Sequence, residues 1–105
     1  MYKYNIYIGM FDKDTKQQEL SNTEFLNTVR KIMRLKNIDN YTIYKGKGHY
    51  KHIDNTIVCE PSINIEIIEH ENWSNFSYTE DLKRELCNSL NQESVLITKQ
   101  KIEVL

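Results

Sequence analysis

Hydrophobic side chains along this chain switch between two periods, and the order of those switches constrains the fold more than any other feature. "YKYNIYIGM" (Tyr2 to Met10) alternates, with Tyr4, Ile6 and Ile8 on one face and Lys3, Asn5 and Tyr7 on the other. That is the period of a strand with one face on a core. "SNTEFLNTVRKIMRLK" then sets Phe25, Leu26, Val29, Ile32 and Met33 at helical spacing. Ser21 and Glu24 make a capping box at its start, and Arg30, Lys31, Arg34 and Lys36 line the far side and the last turn. "YTIYKGKGHYK" and "TIVCEPSINIEII" read as a second and a third strand. A second capping box, "SYTE" (Ser77 to Glu80), opens a helix with Leu82, Leu86 and Leu90 on one stripe, and "VLITKQKIEVL" is a final strand.

A chain of 105 residues is predicted to form one domain, spanning 1–105. Two helices cannot bury their stripes on each other and also cover four half-apolar strands. The economical solution is a four-stranded antiparallel sheet with both helices on one face. Right-handed crossovers then place strands one and three side by side in the centre. The expected fold is α+β, ferredoxin-like, in the order βαββαβ.

Charge excludes one class of function. With 14 basic against 15 acidic residues the net is -1, so a globally basic nucleic-acid binder is not expected. Cys59 and Cys87 have no short spacing and read as reduced, half-buried thiols in a cytoplasmic protein. The N-terminal stretch alternates, which fits neither a signal peptide nor a membrane span.

The second and third strands carry the candidate chemistry. A two-residue turn at Asp54-Asn55 would set His52 opposite Ile57, Tyr50 opposite Cys59 and Gly48 opposite Pro61. It would also put His49 opposite Glu60, Lys47 opposite Ser62 and Lys45 opposite Asn64, parting a mostly apolar face from a mostly polar one. In that register His49 and His52 point to opposite faces and Cys59 points away from Glu60, so no metal site is expected. Pro61 falls within a central strand and predicts either a bulge or the point where the hairpin leaves the first strand as an arm.

Other chemistries fail on the residues. Asp12 and Asp14 begin like a calcium loop, but Lys16 and Gln17 break the pattern. No glycine loop suited to cradling phosphate is present, and no cofactor is expected. An RNA-binding sheet would stack bases on central-strand aromatics, whereas Glu60 and Glu66 occupy outward positions there. The short basic stripe of Lys45, Lys47, His49 and Lys51 reads instead as pairing with those glutamates. His49 facing Glu60 gives an alternative reading as the acid-base pair of a small enzyme. Trp73 and Tyr41 are candidate anchors for a partner or ligand, since tryptophan is enriched at interface hot spots. With Tyr7 and Ile68 on the same open face, Tyr41 leaves apolar area that a homodimer would bury.

The combination "DKDTKQQELS", "GHYKHIDNTIVCEPSINIEII" and "LNQESVLI" resembles small proteins encoded by phages and mobile elements of AT-rich Gram-positive bacteria. The resemblance implies a ferredoxin-like fold and an accessory phage role that counteracts host defence. The expected function is non-enzymatic: binding a host protein or sequestering a small signalling molecule in the host cytoplasm. The binding residues expected are Tyr41, Lys45, Lys47, His49, Glu60 and Trp73.

Overall fold

The computed structural model describes residues 1–51, 54–70 and 76–105. The elements are β1 (Tyr2–Gly9), α1 (Asn22–Leu35), β2 (Tyr41–Lys51), β3 (Ile57–Glu69), α2 (Phe76–Leu90) and β4 (Leu96–Lys101). All pairings are antiparallel and the strand order is β2-β3-β1-β4, with β1 and β3 in the centre. The ferredoxin-like arrangement expected from the periodicities is the one observed.

Alternation explains the core. Tyr4, Ile6 and Ile8 of β1 stand beside Ile67, Ile65 and Ile63 of β3, and all six are buried on one face. Phe25, Val29, Ile32 and Met33 of α1 and Leu82, Leu86 and Leu90 of α2 close over that face. α1 starts as its capping box predicts, the Ser21 hydroxyl accepting from the Glu24 amide at 3.1 Å. It ends in a left-handed residue, Asn37 at φ 58. The Ile38 amide reaches back to the Met33 carbonyl at 2.9 Å, and Ile38 itself is buried against the core.

The second capping box is not used as predicted. α2 already includes Phe76, so Ser77 lies inside the helix, and an N-cap must have non-helical backbone. β4 is shorter than its alternation suggests because its partner runs out: β1 begins at Tyr2, opposite Lys101.

The β2–β3 register differs by one residue from the expectation. Lys51 pairs with Ile57, Tyr50 with Val58, His49 with Cys59, Gly48 with Glu60 and Lys47 with Pro61. This register excludes a two-residue turn at Asp54-Asn55. The Asp54 carboxylate accepts from the Thr56 amide at 2.9 Å, and Asn55 takes φ 70. Two residues decide the register, Tyr41 and Ile43, which pack half-buried against the core opposite Ile67 and Ile65. Further along, β2 is an edge strand with most of its side chains exposed, so polarity there exerts little pull on register.

Pro61 marks the departure of an arm. β1 pairs with β3 only from Ser62 onward, so residues 57–61 have β2 as their one neighbour. The Pro61 carbonyl accepts from the Met10 amide at 2.9 Å and so faces the β1 side. A strand residue directs its N–H and C=O to the same side, so the missing N–H of Pro61 takes no bond from β2. The β2–β3 register runs through without a bulge.

Candidate active site

The shifted register decides what each face of the arm carries. Pairs directly opposite share a face, so the open side of the sheet presents four rows: Tyr50–Val58, Gly48–Glu60, Gly46–Ser62–Gly9 and Tyr44–Asn64–Tyr7–Leu96. All three glycines of the chain lie in these rows, beside Glu60 and Ser62. Missing side chains at Gly46 and Gly48 on the β2 flank leave a trench whose floor is Glu60, Ser62 and Asn64. It opens into a cavity of about 770 Å³, walled by Tyr7, Tyr44 and Tyr50 and bordered by the loop from Phe11 to Lys16. That volume is in the range of small-molecule sites, roughly 300–1,000 Å³.

Glu60 is the centre of the trench. It is only 6% exposed, and its Oε2 accepts from the Phe11 amide at 2.9 Å. The Tyr50 hydroxyl donates to it across the strand pair. The Tyr50 phenol is pushed up to about 12, first by burial and then by the hydrogen bond to Glu60 and its charge. Gly9 is needed for this placement: a Cβ there would lie 2.6 Å from Glu60 Cδ and 3.0 Å from Oε2. Among the described residues no basic side chain forms an ion pair with Glu60. A buried carboxylate held only by neutral donors is a site prepared for a cation.

Four residues along the same face, Asn64 Oδ1 is buried with no hydrogen-bond partner. Leaving an acceptor unsatisfied costs about 1–3 kcal/mol, a cost that a donor from solvent or a ligand would remove.

The rim is fixed from the end of α2. Asn91 Nδ2 donates to Asp12 Oδ2 at 2.8 Å and to Asp14 Oδ2 at 2.9 Å, and Gln92 Nε2 donates to the Phe11 carbonyl at 2.8 Å. The Asn91 amide, followed by the backbone amides of Thr15 and Asp14, holds the Asp12 carboxyl below the usual carboxylate range. The two acids that open like a calcium loop are thus bound to an amide side chain. The loop sets the Phe11 N–H against Glu60 and brings the exposed Lys13 and Lys16 to the cavity's edge.

Most of the residues singled out from the sequence lie elsewhere. His49 and Glu60 fall on opposite faces, because His49 pairs with Cys59, so the proposed acid-base pair does not form. Lys45 and Lys47 border the cavity, but their register positions belong to the helix side, opposite Ile63 and Pro61. They do not pair with the glutamates as expected; Glu66 is met instead by Lys3 at 3.7 Å. Tyr41 is on the core side, not the open face. Cys59 is exposed on the arm, where a half-buried thiol was expected, while Cys87 is half-buried beside the core as expected and its thiol is pushed up by burial. Trp73 and His52 lie outside the described residues. Of the candidates only Glu60 reaches the centre of the site. Tyr50, Asn64, Ser62 and the glycine flanks were missed. Their signal was the alternation of Glu60, Ser62 and Asn64 on a central strand opposite "GKG".

A family model covers residues 3–105 and is described as a protein of unknown function, DUF3574. The chain belongs to that family. A search of curated protein sequences gives no significant match. Among solved structures, a phage SAM lyase in its apo state superimposes with a TM-score of 0.71 at 22% identity, over 94% of this chain and 78% of the other. A phage SAM lyase in complex with S-methyl-5'-thioadenosine gives 0.70 at 23% identity, over 95% and 80%. At this identity the likeness establishes the shared fold. The neighbours that share this fold are enzymes by name, which conflicts with the expectation of a non-enzymatic binding module. Among the described residues no helix is long and apolar enough to cross a membrane.

Proposed function

We propose that this chain is a lyase that cleaves S-adenosylmethionine (SAM) and releases S-methyl-5'-thioadenosine. The observation that carries the reading is the buried carboxylate of Glu60 beneath Tyr50, without an ion-pair partner among the described residues, in a cavity of about 770 Å³. A sulfonium has no N–H to donate, so a site recognises it by negative charge and by the faces of aromatic rings. At about 4 Å, a unit charge pair gains on the order of 4 kcal/mol at an effective dielectric near 20. The neutral thioether product loses that attraction, which favours its release.

The bond that breaks joins the sulfonium sulfur to the amino-acid chain, and its electron pair leaves on sulfur. The amino-acid fragment restores its valence either from within, by its carboxylate bonding to the released carbon, or by passing a neighbouring proton to water. Lys13 and Lys16 at the rim offer positive charge for the substrate carboxylate. Removing SAM takes the methyl donor from the cell, which fits the anti-defence role in a phage setting that the sequence resemblance implies. The homodimer expected from the sequence stays in the proposal on the exposed Ile68, which lies on this face outside the cavity lining; light scattering at assay concentration measures it.

The direct test is to incubate purified protein with SAM and follow the products by liquid chromatography and mass spectrometry. The thioether should accumulate with time and enzyme, and the mass of the second product identifies the route. Thioether no faster than in buffer, from folded protein, overturns the proposal.

A further inference from the structure

The trench continues past the charge site to the row Tyr44–Asn64–Tyr7, which the cleavage chemistry does not use. Tyr44 and Tyr7 stand on the strands either side of Asn64, about 10 Å apart at two strand spacings. A flat ring stacked between them needs about 3.5–4.0 Å on each side, so one heterocycle fits and two do not. The tyrosines are 49% and 43% exposed, and exposed side chains change rotamer in picoseconds to nanoseconds, so the rings can part to admit a ligand. Beneath them waits the unsatisfied Asn64 Oδ1.

We infer that Tyr7, Tyr44 and Asn64 form a purine slot in which Asn64 Oδ1 accepts a hydrogen bond from the exocyclic amino group of an adenine. The inference rests on the proposed function and assigns the nucleobase end of that site. Position supports the pairing. Glu60 lies four residues from Asn64 on the same face of β3, roughly 13 Å away, a span that an adenosyl group with its sulfonium can bridge. Ser62 lies midway, and the bare flank of Gly46 leaves width there for a ribose. The specificity follows from chemistry: an acceptor at the base edge rewards an amino group and leaves an analogue lacking it unpaired.

The test compares SAM with its analogue that carries hydrogen in place of the adenine amino group, in wild type, Asn64→Leu and Asn64→Asp. Wild type should favour SAM in kcat/KM by about tenfold or more. Asn64→Leu should lose that preference, and Asn64→Asp, which still accepts, should keep it. Circular dichroism reports whether each variant folds. If wild type cleaves both compounds equally, or if Asn64→Leu slows both by the same factor, the slot is wrong while the lyase reading stands. If folded wild type cleaves neither and binds no S-methyl-5'-thioadenosine in calorimetry, both fall together.

Discussion

The two ends of the β2–β3 hairpin obey different rules. Near β1 and the helices, Tyr41 and Ile43 of β2 meet Ile67 and Ile65 of β3 over a sealed core. Beyond Pro61, Lys47 to Lys51 pair with Ile57 to Pro61 and both faces are largely open, save for Glu60. One end is held by burial. The other is held by backbone pairing and by a few polar contacts arranged around one carboxylate. Stability and function are thereby separated along a single pair of strands, and substitutions should separate them too.

The largest effect is expected at the sealed end. Ile65→Ala removes a fully buried side chain from the centre of the sheet and should cost about 2–5 kcal/mol, read from the urea midpoint. Ile57→Ala on the arm, 76% exposed, should stay within about 0.5 kcal/mol. Equal losses at the two positions would break the comparison.

Glu60→Gln should behave in the opposite sense. Removing the charge should lower thioether formation roughly hundredfold, the scale of losing one preorganised electrostatic group. The urea midpoint should hold or rise, because a buried carboxylate without a cationic partner is itself a burden. A variant that loses stability and activity together would make Glu60 a structural residue.

A smaller effect is expected at Gly9. Gly9→Ala drives a methyl group against Glu60 Cδ, 2.6 Å away, and must displace the carboxylate from the Phe11 amide. Losing one hydrogen bond to a charged group corresponds to at least about tenfold in kcat/KM. Gly46→Ala, whose Cβ would meet nothing closer than Ser62 Oγ at 3.7 Å, should fold normally and leave the Glu60–Phe11 hydrogen bond in place. A Gly9→Ala enzyme as active as wild type would show that the position of Glu60 is immaterial.

The same contrast explains what could be read from the sequence. The six elements and their sheet order were legible because each buries one face, and burial writes a period into the chain: Tyr4-Ile6-Ile8, Ile63-Ile65-Ile67, Leu82-Leu86-Leu90. Pro61 was legible as the point of departure because its missing N–H has a geometric consequence. The site was not legible, since its assembly hangs on a register that neither face of the arm enforces. Segregating apolar from polar residues favoured a two-residue turn and put Glu60 across from His49. The chain instead obeys Tyr41 and Ile43, and every partner moves by one. That single step replaces histidine with glycine opposite Glu60 and brings Tyr50 over it.

The smallest predicted effect tests the Tyr50–Glu60 contact itself. Tyrosine ordinarily titrates near 10, whereas burial and the bond to Glu60 push Tyr50 up to about 12. The folded protein therefore holds this proton more tightly than the unfolded chain. Its contribution to stability is fully present below about pH 10 and is lost as pH rises through about 12. Ultraviolet absorbance should show a tyrosinate step near pH 12 from Tyr50, and Tyr50→Phe should remove that step. The variant's stability should differ from wild type at neutral pH and converge with it between pH 10 and 12. Should the late phenol survive in Tyr50→Phe, the hydroxyl is not what caps Glu60. The arm would then hold its carboxylate by the Phe11 amide alone.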